Sequence, residues 1–205
     1  AFSAVFGGYF AAVALNLVRG KREFTKHNAL VRSLGFAITG IVTSLVIASI
    51  ATHGVQAFSV DDYWAIAGIL SLTYIGVAFF SSALISVMGI AGTALIIILF
   101  VIFGNPASGG VVPVQLTGAG PWHWLSSILP TGASVSSMRQ AVFFDGTDIM
   151  KHLWVLIGYI VIGFGILLAF GRGKSSISVY EDEIAEEVSE AQHSPKAKIG
   201  SKAGE

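Results

Sequence analysis

Long uninterrupted apolar runs dominate this chain, and the polar residues gather between them. A helix crossing hydrocarbon needs about 20 apolar residues, because each adds about 1.5 Å to a path of about 30 Å. Four stretches meet that requirement: 34–52, 63–82, 86–104 and 153–171. A fifth, 1–18, is slightly short; with Ala1 in place of an initiating Met, it is expected to be the tail of a span that starts upstream. The pattern predicts an all-α integral membrane protein with five transmembrane helices.

The third and fourth spans belong to one charge-free run, 63–104. As a single helix it would measure about 63 Å, which no bilayer accommodates. The run must therefore fold back on itself. Ser81, Ser82 and Ser86, ahead of Gly89, mark the expected turn.

Composition sharpens this picture. Apolar residues make up 54% of the chain and charged ones 12%, and mean hydropathy is +0.75. The charged share is about half that of soluble domains, which excludes a soluble enzyme, a disordered chain and an ordinary nucleic-acid binder. Net charge is zero, so no global field draws in a polyanion, and nucleic acid is not an expected partner. With no cysteine, disulfides, zinc–thiolate sites, iron–sulfur clusters and thiol nucleophiles are excluded.

Only six charged residues, Asp61, Asp62, Arg139, Asp145, Asp148 and Lys151, lie between Leu34 and Gly171. The other eighteen sit in 19–32 or after Gly171. Placing 19–33 and the C-terminal tail in the cytosol leaves only Arg139 and Lys151 among the basic residues outside, as the positive-inside rule favours. The expected location is the plasma membrane. Small residues recur at helical spacing: Ala4, Gly8 and Ala12; Ser44, Ala48 and Thr52; Gly68 and Gly76. Such stripes let helices approach closely, within one bundle or across a dimer face. No charged residue falls inside a predicted span, which argues against a pump or ion-coupled carrier.

Two connections exceed simple turns. Residues 19–33 carry Arg19, Lys21, Arg22, Lys26 and Arg32, and 23–32 could form a short interfacial helix with Phe24, Leu30 and Val31 against lipid or protein. These charges either set topology and contact anionic lipid or dock a cytosolic partner. Residues 105–152 open with a helix stop, Asn105, Pro106, Ser108, Gly109 and Gly110. Pro130, Thr131 and Gly132 then divide two short apolar segments, 121–129 and 133–144. Neither can span. The region 121–144 is expected to be a re-entrant helical hairpin, with Trp122 and Trp124 at headgroup depth and protein beneath its irregular backbone.

Candidate chemistry is sparse. Asp145, Asp148 and His152 offer two carboxylates and an imidazole without a fourth ligand, and 145–148 reads better as a turn with Asp148 capping the last span. His123 reads as interfacial, and Asp61 and Asp62 suit a helix N-terminus. Ser108, Ser126 and Ser127 have no His/Asp partner at recognisable spacing. No catalytic, metal or cofactor site is predicted. Arg139 lies in an apolar stretch, where it can meet lipid phosphate, a substrate acid or a carbonyl. The tail, 172–205, holds a capping box from Ser178 to Glu181 and an acidic amphipathic stretch with Ile184, Val188 and Ala191 on one face. Disorder is expected after His193.

One combination is more specific than hydropathy. A basic segment precedes a helical hairpin, whose last span ends Phe103, Gly104, Asn105, Pro106, then Gly109 and Gly110. An outer connection with Trp122, Trp124, Pro130, Gly132, Arg139, Asp145 and Gly146 precedes a final span. Together these resemble the C-terminal membrane region of ABC-2-type permease-like proteins, in the branch that includes the YhgE/Pip (phage infection protein) and DUF3533 group. The resemblance implies that residues 1–171 hold the second to sixth helices of a six-span unit, working as a homo- or heterodimer. It places 19–32 where such permeases contact an ATP-binding subunit and 121–144 where they close the translocation path. The chain itself has no Walker motif, so ATP chemistry would belong to another polypeptide. The expected function is export of an amphipathic or cell-envelope substrate. The alternative is a non-transporting envelope protein, phage-receptor-like or a secretion-apparatus anchor, whose helices hold an upstream extracellular domain.

Overall fold

In the computed structural model, residues 1–19, 26–104, 108, 121–144, 146 and 148–170 are described, and every regular element among them is helical. Helix α1 spans Phe2–Arg19. Helix α2 spans Lys26–Ser49 and continues through a π-helical turn, Ile50–Gly54. Helix α3 spans Tyr63–Met88. Helix α4 spans Ile90–Ile96 and continues as a π-helical stretch, Ile97–Phe103. Helices α5 (Pro121–Ile128), α6 (Pro130–Phe143) and α7 (Ile149–Phe170) complete the order.

Three helices are long and apolar enough to cross a membrane: Leu30–Gly54, Tyr63–Met88 and Ile149–Ala169. Phe2–Leu15 and Ala91–Phe103 are apolar but shorter. The three long ones are not equivalent. Within its most apolar window α3 is 67% buried, against 22% for α2 and 17% for α7. Helix α3 is therefore the central pillar, packed by α1, α2, α4, α6 and α7. The exposed flanks of α2 and α7, with Ile38, Val42 and Val46 and with Val161 and Ile162, are apolar. The pillar buries Thr73, Ser81 and Ser82 among apolar residues such as Leu70, Val77 and Phe79. Hydrocarbon outside and hydroxyls inside suit a bundle in lipid, where apolar side chains gain nothing by turning inward.

Close backbone approach explains the small residues. Ala4, Gly8 and Ala12 are buried on α1, and a Cβ on Gly8 would meet the Tyr74 carbonyl of α3 at 2.5 Å. A Cβ on Gly163 of α7 would lie 2.6 Å from backbone atoms of Phe79 and Phe80. Gly76 faces the Leu156 carbonyl of α7, and Ser44, Ala48 and Thr52 are buried on α2. Gly68 departs from this use: it is exposed, with nothing within 4 Å of a Cβ. Aromatic rings fill the wider gaps. Phe36 meets Phe79 at 6.0 Å between centroids, Phe79 stacks on Phe164 at 5.9 Å, and Tyr159 stands edge-on to Phe80 at 5.0 Å.

Four boundaries differ from expectation. Helix α3 does not turn at Ser81–Ser86 but runs on to Met88 and breaks at Gly89. The Ser86 hydroxyl donates to the Ser82 carbonyl at 2.6 Å, so serine in an apolar helix satisfies itself one turn back and does not stop it. Gly89 takes the left-handed φ of 59° that a side chain would resist. Second, Lys26–Arg32 is not a separate interfacial helix but the first two turns of α2, and residues 20–25 lie outside those described. Third, the apolar span of α2 starts at Leu30 and so includes Arg32, which the expected span, 34–52, left out. Fourth, the division expected at 130–132 falls just before it, at Leu129, so the second helix starts at Pro130 and not at Ala133. Leu129 is extended (φ −68°, ψ 142°), and Pro130 opens α6. A residue before proline avoids the α region, whereas proline's fixed φ suits a first helical position.

Asp62 immediately precedes α3, where its carboxylate accepts a hydrogen bond from the Ser59 hydroxyl at 2.6 Å. Asp148, at a left-handed φ of 59°, immediately precedes α7.

Candidate functional site: the α5–α6 hairpin and its seat

Within 121–144 the chain forms two short consecutive helices, α5 and α6, that break at Leu129, and α6 is seated against α3 and α7. Its buried face is Pro130, Thr131, Gly132, Ala133, Ser134 and Ser137. The hairpin closes tightly because Gly132 has no side chain. A Cβ there would run into the Ser126 carbonyl of α5. Gly104, at the end of α4, supplies a second contact: a Cβ would lie 3.1 Å from Thr131 and 3.6 Å from Leu129. Two parts of the sequence motif, Gly104 and Pro130–Gly132, are thereby adjacent in space. At its far end, α6 stops where the amides of Phe144 and Gly146 both donate to the Gln140 carbonyl, with Gly146 at a φ of 76°.

One buried side-chain hydrogen bond ties this hairpin to the pillar. Thr73 Oγ1 on α3 donates to Ser134 Oγ on α6 at 2.8 Å and also reaches the Ile69 carbonyl at 2.7 Å. Having one proton, it serves these two acceptors alternately. Elsewhere in the interior, Thr131 and Ser137 of α6, Ser81 and Ser82 of α3 and Ser44 of α2 bury hydroxyls that make no hydrogen bond among the described residues. Interhelical hydrogen bonds in membrane bundles contribute about 0.6 kcal/mol on average and at most about 1.7. Thr73→Val, which keeps the shape and removes the hydroxyl, is expected to cost about 1 kcal/mol. Thermal unfolding in detergent checks this, with Ser137→Ala, which breaks no bond, staying near wild type.

The other expected site residues separate into three groups. Trp124 is exposed on α5, and Arg139 is half-buried on α6. Trp122 and His123 belong to α5. Asn105, Pro106, Gly109, Gly110 and Asp145 lie outside the described residues, while Ser108 is buried, its amide donating to the Gly104 carbonyl at 3.0 Å. In the basic segment, Arg19 ends α1 and Lys26 begins α2, whereas Lys21, Arg22 and Phe24 lie outside the described residues. Arg32, the last basic residue of that segment, is turned inward. It is 2% exposed, with its guanidinium 5.6 Å above the Phe36 ring. A weakly hydrated, planar cation can be buried against an aromatic face where a lysine would resist.

No group of three or more metal-binding side chains occurs among the described residues. The acidic pair with His152 cannot be assembled from them, since Asp145 lies outside. What the seat presents is neutral hydroxyls and close-packed backbone, suited to holding a hairpin in register against a helix.

Comparison with family models, with curated proteins and with solved structures finds no match to this chain. The Thr131, Ser134, Ser137 spacing was a legible sign of this seat, because residues three apart share a helix face. Its partner Thr73 carries no comparable mark.

Proposed function

We propose that this chain is the membrane-spanning permease domain of an ABC-2-like exporter for an amphipathic or cell-envelope substrate. In this reading α1, α2, α3, α4 and α7 are five crossings of the plasma membrane, and α5–α6 is a re-entrant pair. Residues 19–33 and the tail face the cytosol. The observation that carries the reading is the seating of a short hairpin, too short to span, on the central helix through Thr73 and Ser134, with Gly104 against Thr131. A pair seated on neutral hydroxyls and close contacts, with no ion pair to the central helix among the described residues, is one that a modest free energy can shift, as a gate requires. Two such bundles would rearrange across their interface, driven by a cytosolic ATP-binding subunit at Arg19, Lys21, Arg22, Phe24 and Lys26. Arg32, buried on Phe36, takes no part in that contact.

Purification of the full-length protein in mild detergent, with mass spectrometry of its partners, tests this. Recovery of a Walker-motif ATPase, lost on replacing Arg22 and Lys26 together by Glu, is the expected result. Association that survives the double replacement removes the docking role of the basic segment. A protein that brings down no ATPase and carries a large exterior domain is instead an envelope anchor.

A further inference from the structure

Apart from the buried hydroxyls of α6, a groove of about 310 Å³ opens along α7, between Val155, Gly158, Tyr159 and Ile162 of that helix, Ser127 and Ile128 of α5 and Phe80 of α3, its wall mostly apolar. Its existence depends on a missing side chain: nothing lies within 4 Å of a Cβ placed on Gly158. Positions 155, 158, 159 and 162 follow one face of α7, and the same face one turn earlier carries Lys151. Lys151 is exposed and forms no salt bridge among the described residues. Helical side chains lean toward the N-terminus, so near the start of α7 this ammonium reaches away from the apolar floor. Trp154, 65% exposed, stands beside it, as indole rings do at headgroup depth. The nearest described acid, Asp148, has left the helical register at a φ of 59°.

Length decides what fits. The lined stretch, 155–162, runs about 10 Å, and about 16 Å with the turn that carries Lys151, close to half of the roughly 30 Å hydrocarbon thickness. The whole of α7, 22 residues, is about twice that long. A partner helix, about 10 Å across, would need a wider and longer trough. A single acyl chain needs one leaflet of apolar wall and a headgroup at its mouth. We propose that this groove holds one acyl chain of an anionic phospholipid, with the lipid phosphate against Lys151. The site requires α7 to lie in a bilayer and is independent of whether the protein exports anything.

The test is native mass spectrometry of the full-length protein incubated with equal amounts of phosphatidylglycerol and phosphatidylcholine of matched chains. Wild type retains phosphatidylglycerol over phosphatidylcholine by about fivefold, the preference that one interfacial lysine supplies. Lys151→Gln abolishes the preference. Gly158→Phe, whose ring fills the groove without displacing a neighbour, loses both lipids. Gly165→Phe, on an open part of the same helix, behaves as wild type. Equal retention of both lipids by wild type overturns the proposal, as does undiminished preference in Lys151→Gln; the latter decides the matter even if Gly158→Phe fails to fold. Retention of a second protein in place of phospholipid, lost in Gly158→Phe, overturns it equally.

Discussion

Replacing Gly163 by leucine is expected to destabilise the fold severely, whereas the same change two residues on, at Gly165, is tolerated. The two glycines share a helix and a sequence context. They differ in what stands opposite. A Cβ at 163 lies 2.6 Å from the backbone of Phe79 and Phe80, and backbone in the middle of a helix cannot move aside as a flexible side chain can. A Cβ at 165 meets nothing within 4 Å. Overpacking with adaptable neighbours costs about 1–3 kcal/mol. Against the pillar's main chain the cost is expected to exceed about 3 kcal/mol, a large part of a typical net stability of about 5–15 kcal/mol. Size-exclusion profiles and melting temperatures of the two variants in detergent provide the check. A Gly163→Leu protein as stable as wild type would mean that α7 does not cross α3 at this point.

The second large effect is expected at Phe36. Its ring is fully buried, underlies the Arg32 guanidinium at 5.6 Å and meets Phe79 at 6.0 Å, which in turn stacks on Phe164. Phe36→Ala removes the centre of that chain of contacts and leaves a buried cation above a cavity. In water-soluble cores such a truncation costs about 3–5 kcal/mol. The transfer part of that cost shrinks when the alternative environment is lipid, while the lost dispersion contacts remain. The loss of an aromatic face for Arg32 adds about 0.5–2 kcal/mol. A net loss of about 3 kcal/mol is expected, and Phe36→Tyr, which keeps the ring face, should recover most of it. Unfolding by heat or by a denaturing detergent is the measurement. If Phe36→Ala and Phe36→Tyr melt together, the ring does not support Arg32.

These effects also show which features a sequence displays. Apolar runs announced each of the long helices, because burial in lipid demands length and apolarity and little else. Their ends were harder to read. Serines at 81, 82 and 86 read as a turn in water-based reasoning, yet Ser86 bonds back to Ser82 and the helix continues to Gly89. Pro130 read as a divider, and the break does fall beside it, at Leu129, while the proline itself begins the next helix. Arg32 counted as one more positive charge in a basic loop. Its inward placement depends on Phe36 lying one turn away and on α3 standing opposite, and only the first of these is local. Of the hairpin's seat, the Gly132 approach to Ser126 lies within a short stretch of chain. The contact of Gly104 with Thr131 and the bond from Thr73 to Ser134 join distant residues and leave no periodic trace.

The burial of α3 bears on how the protein is made. Among the described helices α3 follows α1 and α2, which cover part of its surface, but the face received by Gly163 and Ser134 is completed only by segments synthesised much later. Until those arrive, the nascent pillar must expose its serine and threonine hydroxyls to lipid or to an insertion chaperone. A ribosome stalled after Gly104 would thus leave a half-covered intermediate in the bilayer, the kind of orphan that membrane quality-control proteases select.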